Sequence, residues 1–174
     1  NGTQSNVTLP STSIINITAI LETPSYPQFI SIYQNGTRIA NSTSPAVNLS
    51  YWAVGSYNIT ALYAGNMNYT SSRVTYILDI NDTQSPVIND HNATPNSTTY
   101  GENITIFANV TDNVAVANVT VFINGSNNTM SPATGDLYTY TFNTTDYEAG
   151  NYSYIIYAND TNRNDATAQT GNFT

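Results

Sequence analysis

The chain has 174 residues and a formal net charge of −8, with no Cys, no Lys, three Arg and 11 acidic residues. That inventory excludes disulfides, thiolate metal sites, a Schiff-base or phosphate-loop lysine and a Lys–Asn crosslink. Three cations also argue against nucleic acid, whose phosphates must be neutralised. Only 8% of residues are charged and 14 are Tyr, which with abundant Thr, Val and Ile is strand composition rather than helix composition. No run approaches the about 20 apolar residues of a membrane helix, and no signal-peptide pattern is present, as expected of a mature or excised form.

From Asn1 to Pro10 the chain is polar, with Val7 and Leu9 marking a weak strand. Ser13 to Leu21 reads as a strand, Pro24, Ser25 and Pro27 as a turn, and Phe29 to Gln34 as a strand with Ile30 and Ile32 on one face. Asn35-Gly36 is a hairpin turn of the kind that needs positive φ, returning through Arg38 to Asn41. Val47 to Trp52, Tyr57 to Tyr63 and Arg73 to Ile80 follow as strands. Asn81 to Pro86 has no Gly and ends in Pro, a short, stiff linker. The plan then repeats. Pro86 to Asn89, Asn103 to Thr111, Val116 to Ile123, Leu137 to Asn143, Tyr152 to Ala158 and the polar stretch Ala166 to Thr174 are strands. Tyr100-Gly101 is a turn, and Asn124-Gly125 is a second hairpin turn in the place that Asn35-Gly36 holds.

Two stretches organise these elements. Gly55-Ser56-Tyr57-Asn58-Ile59-Thr60-Ala61-Leu62-Tyr63 recurs about 95 residues later as Gly150-Asn151-Tyr152-Ser153-Tyr154-Ile155-Ile156-Tyr157-Ala158. Each is a Gly, a Tyr two residues on, then alternating apolar residues. Tyr57 and Tyr152 suit the corner tyrosine of an immunoglobulin-type sandwich, whose hydroxyl ties back to the chain just upstream. The expected fold is all-β, two tandem immunoglobulin-like β-sandwich domains over residues 1–82 and 83–174.

The strongest chemical signal is Asn-x-Ser/Thr, the acceptor triplet of N-glycosylation. It occurs at Asn1, Asn6, Asn16, Asn35, Asn41, Asn48, Asn58, Asn68, Asn81, Asn92, Asn96, Asn103, Asn109, Asn118, Asn124, Asn127, Asn143, Asn151, Asn159 and Asn172, or 20 of 26 Asn. Ser and Thr make up 43 of 174 residues, so chance would place such a residue after only about 6 or 7 of them. In a strand the Asn and the Ser or Thr share one face and the middle residue takes the other. The middle residues Val7, Ile17, Leu49, Ile59, Ile104, Val110, Val119 and Tyr152 read as core, which turns the Asn outward. Dense glycosylation implies an extracellular or cell-surface protein.

Both halves resemble the immunoglobulin-like repeats of large bacterial and archaeal surface proteins. The first does so through Gly55 to Tyr63 and its continuation Ala64-Gly65-Asn66-Met67-Asn68-Tyr69. The second does so through Thr111-Asp112-Asn113-Val114-Ala115-Val116-Ala117-Asn118-Val119-Thr120-Val121 and Ile123-Asn124-Gly125. The junction Asn81-Asp82-Thr83-Gln84-Ser85-Pro86-Val87-Ile88 is similar to the usual linker of such repeats. Such modules serve as stalks, adhesins, filaments and enzyme appendages; without a catalytic constellation in the sequence a non-enzymatic role is expected, and the dense triplets without Lys or Cys look more archaeal than bacterial. The resemblance implies two functions of different class: a repeating unit of an extracellular filament or surface layer, or an adhesin or adhesin stalk that binds a cell-surface or carbohydrate ligand.

No cofactor is expected beyond covalent N-glycans, apart from calcium. Asp79-Ile80-Asn81-Asp82 before Pro86 resembles a calcium-binding cadherin linker with one extra residue, and Asp112 and Asp160 read as loop residues near one end of the second domain. Asp79, Asn81, Asp82, Asp112 and Asp160 are therefore the candidate Ca²⁺ ligands. His91, the single His, reads as a solvated loop residue, and Asp146 and Glu148 as a solvated turn. Tyr26, Tyr33, Tyr51, Trp52, Tyr69, Tyr138 and Tyr140 are candidates for stacking on sugars, or core and cross-strand pairs. Partners are expected to be identical subunits or neighbouring repeats joined head to tail. Weak strands at Asn1 to Pro10 and Ala166 to Thr174 leave edges that a neighbour's strand could complete. Covalent continuity along a longer chain would join units equally well.

Overall fold

Asn35-Gly36 and Asn124-Gly125 set one hairpin in each half. Their φ angles are 47° and 84° in the first and 48° and 77° in the second, the left-handed pair that matches a two-residue turn to strand twist. Around these turns the chain, here a computed structural model describing residues 4–11, 13–23, 28–145 and 147–174, divides into two compact units, Asn1–Thr83 and Gln84–Thr174. No helix occurs among the described residues.

The first unit contains β1 (Val7–Pro10), β2 (Ile15–Ala19), β3 (Phe29–Gln34), β4 (Thr37–Thr43), β5 (Ala46–Ser50), β6 (Gly55–Tyr63) and β7 (Ser72–Asn81). A five-stranded sheet in the order β1-β7-β6-β3-β4 packs on a two-stranded sheet, β2-β5. β1 runs parallel to β7, with Val7 opposite Leu78 and Pro10 opposite Asn81. Alternation on β6 and β7 turns Tyr57, Ile59, Leu78 and Ile80 inward. The core forms two groups: Ile15, Trp52, Leu78 and Ile80, and Ala19, Ile30, Ile32 and Ala46. Ile17, Ile39 and Ile59 pack against both groups.

The second unit contains β8 (Val87–Thr94), β9 (Asn103–Thr111), β10 (Val116–Ile123), β11 (Ser126–Thr129), β12 (Ser131–Pro132), β13 (Leu137–Asn143), β14 (Tyr152–Asp160) and β15 (Gln169–Phe173). Its sheets have the orders β12-β13-β9-β8 and β11-β10-β14-β15. Every second residue of β9, from Ile104 to Val110, is buried against Val119, Val121 and Ile123 of β10 and Tyr154, Ile156 and Ala158 of β14, in one continuous core. Phe173 of β15 joins that core. Gly171 lies against the Tyr154 ring so closely that a Cβ there would run into it.

Several expectations need correction. β7 runs through Asn81 and β14 through Asp160, so Asn81 is a strand residue rather than linker and Asp160 a strand residue rather than loop. β8 extends to Thr94, which puts His91 in a strand; a bulge between Ile88 and Asp90 shifts its register on β9. His91 Nδ1 lies 3.2 Å from the buried Tyr154 hydroxyl, so it is not a solvated loop residue. β11 and β12 were not expected, and Leu49 is exposed rather than core. The segments considered for strand donation are used within their own units: β1 pairs with β7 and β15 with β14. The turn at Pro24, Ser25 and Pro27 lies outside the described residues.

Candidate glycan-attachment surface

The acceptor triplets fall on both sheets of each unit, and strand alternation decides which way each Asn points. On β9 the buried Ile104 and Val110 leave Asn103, Thr105, Asn109 and Thr111 on the outer face. β10 buries Val119 and exposes Asn118. Among the described triplets no Asn is buried. Asn48, Asn109 and Asn159 are half-buried and the others are exposed. Asn1 lies outside the described residues.

The local bonds of these Asn residues mostly use the amide oxygen rather than the nitrogen that carries a sugar. Asn6 Oδ1 accepts from Ile77 N–H at 2.8 Å, and Asn35 Oδ1 accepts from Asn58 N–H at 2.8 Å. Asn41 Oδ1 accepts from Ser31 at 3.2 Å, and Asn16 Oδ1 from Thr18 at 3.0 Å. Two triplets face each other directly where Asn143 Nδ2 donates to Asn103 Oδ1 at 2.8 Å, in register across β13 and β9.

Asn48 departs from the pattern. It lies opposite Ile17 on β2, the residue that packs into both core groups. Its amide reaches the Ile39 carbonyl at 3.5 Å and accepts from Ser50 at 2.9 Å. Asn48 and Ser50 therefore share the inward face, and the middle residue Leu49 points out.

Both corner tyrosines close as the sequence implies. Tyr57 donates its hydroxyl proton to the Ala53 carbonyl at 2.9 Å, and Tyr152 to the Glu148 carbonyl at 2.7 Å. Tyr57 also meets Trp52 edge-on at 4.9 Å between ring centroids. The proposed sugar-stacking aromatics do not converge. Trp52 is core, Tyr138 and Tyr140 pack against the second unit's core, and Tyr33, Tyr51 and Tyr69 lie on β3, after β5 and in the β6–β7 loop. Tyr26 and Asp146 lie outside the described residues. A small cavity of about 150 Å³ opens instead among Thr98, Tyr100, Thr144, Tyr147, Glu148 and Phe173. Tyr100 and Tyr147 were not among the expected aromatics; the signal that could have found them is their position flanking two turns at one end of the unit.

Of the candidate calcium ligands, Asp79, Asn81 and Asp82 belong to the first unit, with Asp79 opposite Ser56 on β6. In the second unit Asp112 and Asp160 come together, each with a carboxylate oxygen within 4.8 Å of the other's. Asp160 is almost wholly buried, which alone would raise its carboxyl pKa. The Asn164 side chain and the backbone N–H groups of Asn164, Asn162 and Arg163 outweigh that and hold it below the usual carboxylate value. Asn162 and Asn164 N–H donate to Oδ1 at 2.8 Å, and Asn164 Nδ2 donates to Oδ2 at 2.7 Å. Asp112 Oδ2 accepts from Val114 and Ala115 N–H, while its Oδ1 is buried with no hydrogen-bond partner among the described residues.

Residues 86–156 match the family described as bacterial Ig domain. The amphioxus IgVJ-C2 molecule is similar in structure with a TM-score of 0.64 at 16% identity, over 97% of this chain and 99% of that one. The I67–I69 fragment of titin is similar with a TM-score of 0.61 at 13% identity, over 98% of this chain and 62% of that fragment. At such identities the likeness is one of fold. No curated protein matches the sequence. The chain is thus built as tandem immunoglobulin-like modules, the second of which is similar over residues 86–156 to the bacterial Ig domain family.

Proposed function

We propose that the chain is a non-enzymatic structural module of a secreted, densely N-glycosylated surface protein, a repeating unit of an extracellular filament or surface layer. The observation that carries this reading is the outward placement of the acceptor Asn residues: alternation that buries Ile104, Val110 and Val119 delivers Asn103, Asn109 and Asn118 to the outer faces. A surface so rich in acceptors leaves protein contacts to sheet edges and domain ends. Because Val7, Leu9 and Phe173 pack into their own cores, strand donation by their segments would have to withdraw them. Joining therefore runs through neighbouring repeats of one chain in this reading. Intact-mass analysis of protein from its native source tests the glycans: a mass well above 18.9 kDa is expected, and the bare mass would end the reading. Micrographs of the native assembly should show a regular repeat.

A second reading is an adhesin or its stalk, which the aromatic cavity beside Tyr100 and Tyr147 favours. Binding on a glycan array that Tyr147→Ala abolishes would select it over the first. Calcium belongs to either reading at the Asp112–Asp160 pair, since a buried carboxylate oxygen without a donor is costly and Ca²⁺ takes oxygen ligands. Calcium should raise the melting temperature and a chelator should reverse the rise; superimposable melts would remove the ion from the proposal.

A further inference from the structure

The outer face of the β2-β5 sheet carries five exposed apolar side chains around Asn16 and Thr18. Ile14 is 53% exposed, Ile20 69%, Val47 48%, Leu49 64% and Tyr51 69%. On a two-stranded sheet these side chains form one continuous patch, because Thr18 pairs with Val47 and Asn16 with Leu49. Ile14 and Tyr51 continue the alternation just beyond the strands. Patches of this kind mark something that covers them.

Asn16 stands in the middle. Its neighbours along β2 on this face are Ile14 and Thr18, its cross-strand neighbour is Leu49, and Val47 and Tyr51 lie on the diagonals, which side chains of this size can span. It is exposed, and the Thr18 hydroxyl holds its amide oxygen at 3.0 Å. That contact leaves the nitrogen, the atom to which a sugar is joined, as the outward end of the side chain. A pyranose ring is polar at its edge and presents C–H groups on its faces, so a sugar at this position lays an apolar face on Leu49, Val47 and Tyr51 while its hydroxyls meet water.

We propose that the N-glycan of Asn16 folds back over Ile14, Val47, Leu49 and Tyr51 and is the cover of this face, keeping an otherwise adhesive patch from associating. The inference rests on the proposed glycosylation and assigns one site a specific intramolecular task. Protein docking on the patch is the competing outcome, and a glycan rooted at its centre obstructs it.

The test uses the whole chain from a glycosylating host. Glycopeptide mass spectrometry first establishes occupancy at Asn16 and at the other triplets. Binding of an anilinonaphthalene sulfonate dye and light scattering are then compared for the wild type, Asn16→Gln, and Asn68→Gln as a control that removes a triplet from an exposed loop. Asn16→Gln should raise dye fluorescence severalfold and promote self-association, Asn68→Gln should leave both unchanged, and adding Leu49→Ser to Asn16→Gln should return both toward wild type. An occupied Asn16 whose removal changes neither readout would overturn the proposal and leave the glycosylation reading intact. Asn16 bare while other triplets carry sugar would do the same. Bare Asn at every triplet would instead bring down the glycosylation reading, and this inference with it.

Discussion

At the scale of single residues, two kinds of group hold this chain: hydroxyls that tie corners and a carboxylate that organises a loop. Tyr57 and Tyr152 each give one hydrogen bond to a carbonyl four residues upstream, and both rings are half-buried. Removal of a hydroxyl from such a site sits at the lower end of the range for a lost hydrogen bond, so Tyr57→Phe and Tyr152→Phe should each cost about 1 kcal/mol in urea unfolding. Asp160 has its carboxyl pKa held below the ordinary 3.8. A carboxyl depressed on folding contributes stability that is fully present above its unfolded value and is lost as pH falls through the folded one. The second unit should therefore weaken as pH drops below the ordinary carboxylate value. Asp160→Asn should be less stable at neutral pH and less sensitive across that acidic window, as read from unfolding midpoints against pH. Both tyrosines were readable in the sequence because the Gly-x-Tyr spacing fixes their geometry. The bond of His91 to Tyr154 was not. Asn89-Asp90-His91-Asn92 looks like a polar loop, and the bulge after Ile88 that returns His91 toward the buried Tyr154 leaves no mark in composition.

At the scale of elements, alternation marks the full extents of β3, β9, β10 and β13, although only β9 alternates without a break. It failed on β5. In Ala46-Val47-Asn48-Leu49-Ser50 the triplet at Asn48 suggests Leu49 inside and Asn48 outside. The structure puts Ala46, Asn48 and Ser50 inward, where Ala46 is wholly buried beside Ile30 and Ile32, because the facing Ile residues already fill that space. β11 was missed because Ser126-Asn127-Asn128-Thr129 has no apolar residue to alternate. The inversion of β5 has a direct consequence for modification. Asn48 should carry no sugar in the folded protein although its triplet is intact, and glycopeptide mapping from the native source checks this. An occupied Asn48 would mean that the β2-β5 sheet stands away from Ile39.

At the scale of the whole molecule, the two units have unequal interiors. The second has one continuous core that joins Ile104, Val121, Phe142, Tyr154, Ile156 and Phe173. The first has two smaller groups under a sheet of only two strands. Buried apolar area is the main source of stability, so heating should unfold the first unit before the second. Trp52 is the single Trp and packs in the first unit's core, so its fluorescence should report a lower midpoint than far-ultraviolet circular dichroism. Coincident midpoints would mean that the units unfold together. The division into two sandwiches was readable from the recurring tyrosine stretch and the paired Asn-Gly turns. The inequality of the cores was not, because it depends on which strands join the smaller sheet.

The parallel pairing of β1 with β7 gives that weaker unit a second character under load. The strand that enters the unit and the strand that leaves it lie side by side and point the same way. Tension along the chain pulls them in opposite directions, so the hydrogen bonds from Val7–Leu78 to Pro10–Asn81 are loaded in shear, all at once, rather than opened one after another. Forced unfolding follows the barrier and not the equilibrium stability. In single-molecule stretching the first unit should hold until this patch ruptures in one step. Replacing Ser11 with Pro, which removes the backbone donor to the Asn81 carbonyl at the end of the patch, should lower the rupture force far more than it lowers the melting temperature.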